Sequence, residues 1–419
     1  MEKRIAVLTL GCKLNYSESS TIVRDFASRG YVPVAANSDA DVFVVNTCSV
    51  TEHSDKKCRN IINRIHRRCP ESLIAVIGCY AQLKGAEIAS MPGVGIVLGA
   101  HRKGEVADAV EAYLSAGRIP TVLDIPQIDT VERIFTAFST GERTRSFLKV
   151  QDGCDYKCSY CTVPYARGHS RNLPIADLVG CAKKIAGEGI REIVLTGVNT
   201  GDFGKTTGEK FLDLLKALDE VEGIQRYRIS SIEPNLLTDE IIDWIAGGEK
   251  FLPHFHIPLQ SGCDEVLRRM GRRYSTSVFR DKISYIRSRI GNVFFGIDVI
   301  VGFPGETAEQ FAETKAFLEE IRPAYIHVFP YSRRNGTPAA SMPGQVKESD
   351  KTLRVAELEK LCADLHEEFR KSNAGRKEQV LFESKTKDGM MFGYTRNYLR
   401  VERPYDPDLI GQIVEVTLD

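Results

Sequence analysis

The chain has no long hydrophobic run and no excess of either charge. No stretch of about 18 consecutive apolar residues occurs, which argues against a membrane-spanning helix. Lys plus Arg and Asp plus Glu each number 56, so the net charge of +0 gives no reason to expect a nucleic-acid partner. No amino-terminal targeting segment is expected, because Met1-Glu2-Lys3-Arg4 runs straight into a strand-like segment. The 11 cysteines are an odd number, which fits a disulfide framework poorly and suits a reducing cytoplasm. The one C-x2-C element has neither a second such pair nor a spaced histidine pair nearby, so a four-ligand structural zinc site also fits poorly. What remains is an ordinary globular composition, 42% hydrophobic and 27% charged, with length for two or three domains.

Three cysteines stand close together as Cys154-x3-Cys158-x2-Cys161, with Tyr160 just before the last. Three such thiolates can ligate three irons of a 4Fe–4S cluster and leave the fourth without a protein ligand. An open iron can bind a small molecule, whereas a fully ligated cluster mainly carries electrons. The spacing resembles the signature of radical S-adenosylmethionine (SAM) enzymes. That resemblance implies SAM chelated at the open iron and cleaved by one electron to a 5′-deoxyadenosyl radical.

The amino-terminal third holds three strand-like apolar runs, Ile5–Leu10, Val42–Val45 and Leu73–Ile77, separated by helix-like segments. One helix is expected from about Asp55 to Arg68, with the stripe Cys58, Ile61, Ile62, Ile65 and Cys69. The alternation predicts an open parallel α/β sheet. Cys12, Cys48 and Cys79 each follow one of the three strands, so they converge on one sheet edge, where such sheets bind ligands. From spacing alone they are either a second three-cysteine cluster or three buried thiols. Gly11 and Gly78 would let the backbone approach a bulky group. Cys58 and Cys69 read as core, and Cys181, Cys263 and Cys362 as structural.

A segment from about Leu123 to Arg145 reads as a linker. After it come six strand-like runs: Phe147–Val150, Glu192–Thr196, Tyr227–Ser230, Phe255–Pro258, Phe295–Val301 and Tyr325–Phe329. Six strand–helix units fit a partial (β/α)6 barrel, whose chemistry gathers at the carboxyl ends of its strands. The candidate SAM contacts there are Tyr160, Gly197, Asn199, Ser231, Glu233, Gln260 and Asp298. Gly197 and Gly302 would admit SAM beside the backbone, and Glu233 would accept hydrogen bonds from a ribose. From about Ala374 onward the runs Glu378–Glu383, Gly389–Tyr394, Leu399–Val401 and Ile413–Leu418 suggest a small β-barrel.

With both triplets placed, the chain resembles the radical SAM methylthiotransferases over almost its whole length. The motifs are Gly11-Cys12, Val44-Val45-Asn46-Thr47-Cys48, Ile77-Gly78-Cys79-Tyr80, Gln151-Asp152-Gly153-Cys154 through Cys161, Pro164-Tyr165-Ala166-Arg167-Gly168, His256 through Gly262, and Asp298 through Thr307. The segments Asn46-Thr47-Cys48-Ser49-Val50-Thr51 and Leu195 through Gly201 look most like the branch acting on N6-threonylcarbamoyladenosine in tRNA. The resemblance implies two 4Fe–4S clusters, one on Cys154, Cys158 and Cys161 with SAM, and an auxiliary one on Cys12, Cys48 and Cys79 carrying sulfur. It implies three parts: residues 1–125 with the auxiliary cluster, a radical SAM core over 140–370, and an RNA-binding TRAM-like barrel over 371–419. The implied product is the 2-methylthio derivative at position 37, with the tRNA anticodon stem-loop, an external electron donor and a sulfur source as partners.

The candidate RNA contacts are Lys57, Arg59, Arg64, Arg67 and Arg68 on the basic helix, the arginines around Arg268 (Arg268, Arg269, Arg272, Arg273), and Arg396 and Arg400 with Tyr394 and Tyr398 for base stacking. From Lys371 to Asp419 eight basic residues face eight acidic ones, so contact there needs a local patch. The competing substrates are isopentenyladenosine tRNA and a ribosomal-protein aspartate. A reading of another class is an iron–sulfur protein that only carries sulfur or electrons.

Overall fold

The computed structural model describes residues 2–117, 121–128, 134–141 and 144–419. In the first third, six parallel strands form one sheet in the order β2-β1-β3-β4-β5-β6. They are β1 (Arg4–Thr9), β2 (Val32–Pro33), β3 (Val42–Thr47), β4 (Leu73–Gly78), β5 (Val94–Leu98) and β6 (Val122–Asp124). The central strands β3 and β4 are buried along their whole length, which explains their unbroken apolar sequence. Helices cover both faces. The helix α1 spans Lys13–Ser28, α2 Glu52–Arg68 and α3 Cys79–Ala89. The α2 helix starts three residues earlier than expected because Thr51 caps it, accepting from the Ser54 amide at 3.2 Å. Of its expected stripe, Cys58, Ile62 and Ile65 lie in the core, while Ile61 and Cys69 are half-buried against it and Cys69 stands just past the helix end. The expected three strands are adjacent; β5, interrupted by Gly95, and the short β6 complete the sheet.

The middle of the chain forms two three-stranded parallel sheets, β11-β10-β7 and β12-β13-β14. Their strands are β7 (Ser146–Lys149), β10 (Glu192–Thr196), β11 (Arg226–Ile229), β12 (His254–Gln260), β13 (Phe294–Val301) and β14 (Tyr325–Pro330). Each lies within two residues of its expected run. A short antiparallel pair, β8 (Gln151–Asp152) with β9 (Arg171–Asn172), brackets the cysteine loop. Between the two sheets, the Ile232 amide donates to the His256 carbonyl at 3.2 Å. One core runs through both sheets, from Leu148, Ile193 and Ile229 to Ile257, Ile297 and Ile326, and takes in Leu358, Cys362 and Leu365 of the long helix Glu348–Ser372. The expected linker over 123–145 falls partly outside the described residues. Its described part pairs with β7: the Ser139 amide donates to the Phe147 carbonyl, and the Lys149 amide to the Ala137 carbonyl.

The last four strands, β15 (Lys377–Lys387), β16 (Met390–Thr395), β17 (Arg400–Pro404) and β18 (Ile413–Thr417), form an antiparallel sheet in the order β17-β16-β15-β18. It docks at the amino-terminal ends of β7, β10 and β11 through buried arginines. Arg226 donates to the Gln379 carbonyl at 2.8 Å, Arg228 to the Thr395 carbonyl at 2.8 Å, and Arg145 to Glu383 at 2.6 Å. Glu192, buried beneath them, accepts from Arg228 at 2.7 Å.

Candidate active site

Cys12 caps α1, Cys48 follows β3 and Cys79 opens α3, so all three sit at the carboxyl ends of adjacent strands. The positive ends of α1 and α3 therefore point at two of the sulfurs and favour negative charge there. Gly11 makes the convergence possible. It stands at φ +100°, and a β-carbon there would fall 2.6 Å from Cys48 Cβ and 2.9 Å from its Sγ. The room left by glycine is thus filled by the next cysteine of the set. Burial pushes the Cys48 thiol up to about 12, and neighbouring Cys79 and Cys12 add to the rise. Cys58 lies beneath, its Sγ 3.7 Å from the Cys48 carbonyl, and belongs to the core as expected.

Cys154, Cys158 and Cys161 lie on the loop after β8. Gly153 stands at φ +73°, and a β-carbon there would fall 2.0 Å from the His169 carbonyl oxygen. The Tyr156 and Val163 amides donate to Cys154 Sγ and Cys161 Sγ, each at 3.4 Å. Burial raises Cys154 and Cys161 to about 12 each. At Cys158, burial also raises the thiol, while Arg272, whose Nη1 donates to Sγ at 3.1 Å, opposes it. Among the described residues, His256, Asp298 and His327 are the group with three ligand atoms within 4.8 Å of one another. Three thiolates on one zinc ion would sit about 4 Å apart; neither cysteine triplet is drawn in that far. Two sets of three free thiols, wider than a zinc site, suit clusters of several irons.

Next to the second triplet, Gln151 Oε1 accepts from the Val198 and Asn199 amides at 2.9 and 3.0 Å. Asn199 Oδ1 accepts from the Glu233 amide at 3.3 Å, while its Nδ2 is buried without a partner, as is Ser230 Oγ. Buried groups of this kind suit a polar ligand such as SAM. Glu233 is paired with Arg272, which thus joins this region to Cys158. Burial raises the Glu233 carboxyl, against the pull of Arg272. Tyr160 stacks edge-on against Phe303 with ring centroids 6.4 Å apart. Ser231 contributes its carbonyl, which accepts from Thr200. Gln260 ends β12 at φ +68°, where the β12–β13 register shifts.

Three of the candidates have close neighbours of their own. The space at Gly197 is taken by Gln151, whose Oε1 lies 2.9 Å from the position of a β-carbon, and that at Gly302 by the stem of Lys351 at 2.4 Å. Asp298 lies within β13, as the expected run Phe295–Val301 placed it. It accepts from or shares a proton with His256 Nε2 at 2.8 Å and pairs across the sheet with His327. His256 opens one of the motifs noted in the sequence, whereas His327 joins it only through the strand register.

Residues 148–318 match the Radical SAM superfamily, and residues 4–99 match a family described as Uncharacterized protein family UPF0004. Over 99% of its length the chain is 39% identical to a Bacillus subtilis protein named threonylcarbamoyladenosine tRNA methylthiotransferase MtaB, covering 93% of that protein. It is 32% identical, over 100% of its length and 97% of the relative, to a Carboxydothermus hydrogenoformans protein named tRNA-2-methylthio-N(6)-dimethylallyladenosine synthase. The chain belongs to the radical SAM methylthiotransferases. Its fold is also that of the radical SAM methyltransferase TsrM from Kitasatospora setae, with a TM-score of 0.58 at 14% identity over 81% of this chain and 75% of that one. Membership in the family brings SAM and a 4Fe–4S cluster.

In this methylthiotransferase the two cysteine regions touch. Thr162 Oγ1 donates to the Ser49 carbonyl at 3.2 Å, and Arg334 donates to Ser49 Oγ and Asp55 Oδ2, each at 2.7 Å. A buried charge network lies alongside. Glu18 accepts from Lys103 at 2.6 Å and Lys149 at 2.7 Å, and Arg167 reaches both Asp152 at 2.7 Å and Asn15 at 2.6 Å. Burial works to raise the Glu18 carboxyl, but Lys103, Lys149 and Arg167 together hold it below the usual range.

The basic candidates divide. Lys57, Arg64 and Arg67 are exposed on α2. Arg59 is tied to the Tyr80 hydroxyl at 2.7 Å, and Arg68 donates to the Asn37 and Ser38 carbonyls at 3.1 and 2.9 Å. Around Arg268, Arg269 binds Gln310 at 2.7 Å, Arg272 serves the cysteine site, and Arg273 lies over Tyr156 at 4.1 Å; Arg268 is exposed. Arg396 donates to the Glu249 carbonyl at 2.8 Å and Arg400 to Glu402 at 2.6 Å. Tyr394 and Tyr398 are half-buried, stack on each other at 4.7 Å and line the same cavity as Cys12 and Lys13.

Proposed function

We infer that this protein places a methylthio group on C2 of N6-threonylcarbamoyladenosine at position 37 of tRNA, beside the anticodon. The observation that carries this reading is the pair of three-cysteine sites, one on each parallel sheet system, joined through Thr162 and Ser49. When bound, a cluster on Cys154, Cys158 and Cys161 supplies the electron that cleaves SAM, and a second on Cys12, Cys48 and Cys79 carries the sulfur. The protein side chains hold and balance these groups. Arg272 hydrogen-bonds Cys158 and neutralises Glu233, Asn199 and Ser230 offer unpaired polar atoms to SAM, and Arg167 brings positive charge toward Cys12 and Cys79.

The three parts serve successive tasks: residues 1–125 deliver sulfur, 140–370 generate the radical, and 371–419 contact RNA together with the exposed face of α2. An anticodon loop suits such an enzyme because its unpaired base reaches a pocket with little unstacking. The threonylcarbamoyl substrate is favoured because relatives named for it are 34–39% identical to the chain, against 31–33% for those named for the dimethylallyl substrate. An external electron donor and a sulfur source complete the cycle, in the cytoplasm.

The test is anaerobic turnover with SAM, reductant and stem-loop RNA carrying either threonylcarbamoyladenosine or isopentenyladenosine, followed by nucleoside mass spectrometry. Methylthio gain on the first RNA alone is expected; gain on the second alone would overturn the substrate. No gain on either RNA would direct attention to a ribosomal-protein aspartate.

A further inference from the structure

A cavity of about 1010 Å³ lies between the N-terminal sheet, the inner face of the barrel strands and the C-terminal sheet. It is lined by Cys12 and Lys13, by His256 and His327, and by Arg145 and Arg228. Its cations are accounted for, with one exception. Arg145 is bound to Glu383 at 2.6 Å, Arg228 to Glu192 at 2.7 Å, and Arg400 to Glu402 at 2.6 Å. The acid nearest the histidines, Asp298, is bound to His256 at 2.8 Å. Among the described residues the Lys13 ammonium has no hydrogen bond and no ion pair. Lys13 is exposed and lines the cavity, and its electrostatic neighbours are Tyr398, Arg145, Arg228 and Asp298. Two of those four are themselves cations. A cavity-lining ammonium in such company is a site ready for an anion.

We propose that Lys13 binds the carboxylate of the substrate's threonylcarbamoyl group inside this cavity. This rests on the substrate proposed above. A base turned out of an RNA loop brings its own N6 substituent into a pocket but leaves the phosphate chain at the mouth. Lys13 directly follows Cys12, and the carboxylate of an N6-threonylcarbamoyl chain extends from the base well beyond the C2 that meets sulfur, within the reach of a lysine side chain. An N6-threonylcarbamoyl chain places a carboxylate there. An isopentenyl chain places hydrocarbon there and leaves the ammonium unpaired, which is a basis for rejecting it.

The experiment compares stem-loop RNA carrying threonylcarbamoyladenosine with the same RNA whose threonyl carboxylate is a methyl amide. Binding to the holoenzyme is measured by fluorescence anisotropy, and KM and kcat by methylthio product. Wild type is expected to bind the acid roughly ten- to hundredfold more tightly than the amide, the range of a charge-assisted hydrogen bond. Lys13→Met should bind both RNAs as weakly as wild type binds the amide, with the loss in KM, and Lys13→Arg should restore the preference. Equal wild-type affinity for acid and amide would overturn the proposal without any variant. So would a Lys13→Met protein that keeps the full preference, which would assign Lys13 to the sulfur at Cys12 instead. If wild type leaves threonylcarbamoyladenosine RNA unmodified, the substrate reading and this subsite fall together. Methylthiolation without an acid preference removes the subsite alone.

Discussion

Thr162 Oγ1 donates a hydrogen bond to the Ser49 carbonyl across 3.2 Å. Thr162 follows Cys161 and Ser49 follows Cys48, so the contact fixes the two cysteine sites relative to each other. Arg334 strengthens the joint by pairing with Asp55 and Ser49, and all three side chains are buried. Arg334→Met leaves Asp55 buried without its partner and should destabilise the protein by about 3–5 kcal/mol. Thr162→Val removes one neutral hydrogen bond and should cost about 1 kcal/mol. Chemical denaturation of both variants checks the ranking.

A cluster held by Cys154, Cys158 and Cys161, as proposed, should be tuned by Arg272. Its Nη1 donates to Cys158 Sγ at 3.1 Å, and a donor at a ligating sulfur favours the reduced, more negative cluster. Arg272→Gln should lower the midpoint potential and slow 5′-deoxyadenosine formation, while iron bound at Cys12, Cys48 and Cys79 stays in place. A redox titration followed by electron paramagnetic resonance reads the shift; an unchanged potential would remove Arg272 from this role.

The cysteines separate by task. Cys79→Ala should still cleave SAM yet form no methylthio product, whereas Cys58→Ala, altered only in the core, should retain both activities. Paired assays of 5′-deoxyadenosine and modified nucleoside make the comparison.

Much of this arrangement was legible in the sequence because buried parallel strands are unbroken apolar runs. Once Ile5–Leu10, Val42–Val45 and Leu73–Ile77 are strands, Cys12, Cys48 and Cys79 must share an edge. The His256–Asp298–His327 group was not legible in the same way, because those residues meet only after the register sets Asp298 opposite His327. Charge runs misled for a related reason. Arg59, Arg68 and Arg272 are basic in sequence but are consumed by Tyr80, a turn at Asn37–Ser38 and Glu233, partners distant in the chain.

That division gives a prediction for RNA binding. Replacing Arg64 and Arg67 together by alanine should weaken affinity and reduce the slope of log K against log salt by about 1.4–1.8, for two phosphate contacts. Arg68→Ala should lower thermal stability and leave the slope unchanged. Affinity measured across a salt series distinguishes the two.

Acid should loosen the joint between the N-terminal sheet and the middle sheets. Lys103, Lys149 and Arg167 hold Glu18 below its ordinary value of 4.5, and Arg167 and Lys149 do the same for Asp152 against 3.8. Carboxyls lowered in the folded state contribute stability that is complete above their unfolded values and lost as pH falls through the folded ones. Stability should therefore hold steady on this account above about pH 5 and fall below about pH 4.5. Lys149→Met, which leaves both carboxylates short of a cation, should flatten that fall. Urea denaturation at stepped pH measures it.

The most direct measurement is iron per chain after anaerobic reconstitution, with Mössbauer spectra, for wild type and for two triple variants. Cysteines 12, 48 and 79 are replaced by alanine in one variant, and cysteines 154, 158 and 161 in the other. Two independent sites require about eight irons in wild type and about four in each variant, as cubane clusters. About four irons in wild type, or loss of all iron in either variant, would contradict a separate cluster at each triplet.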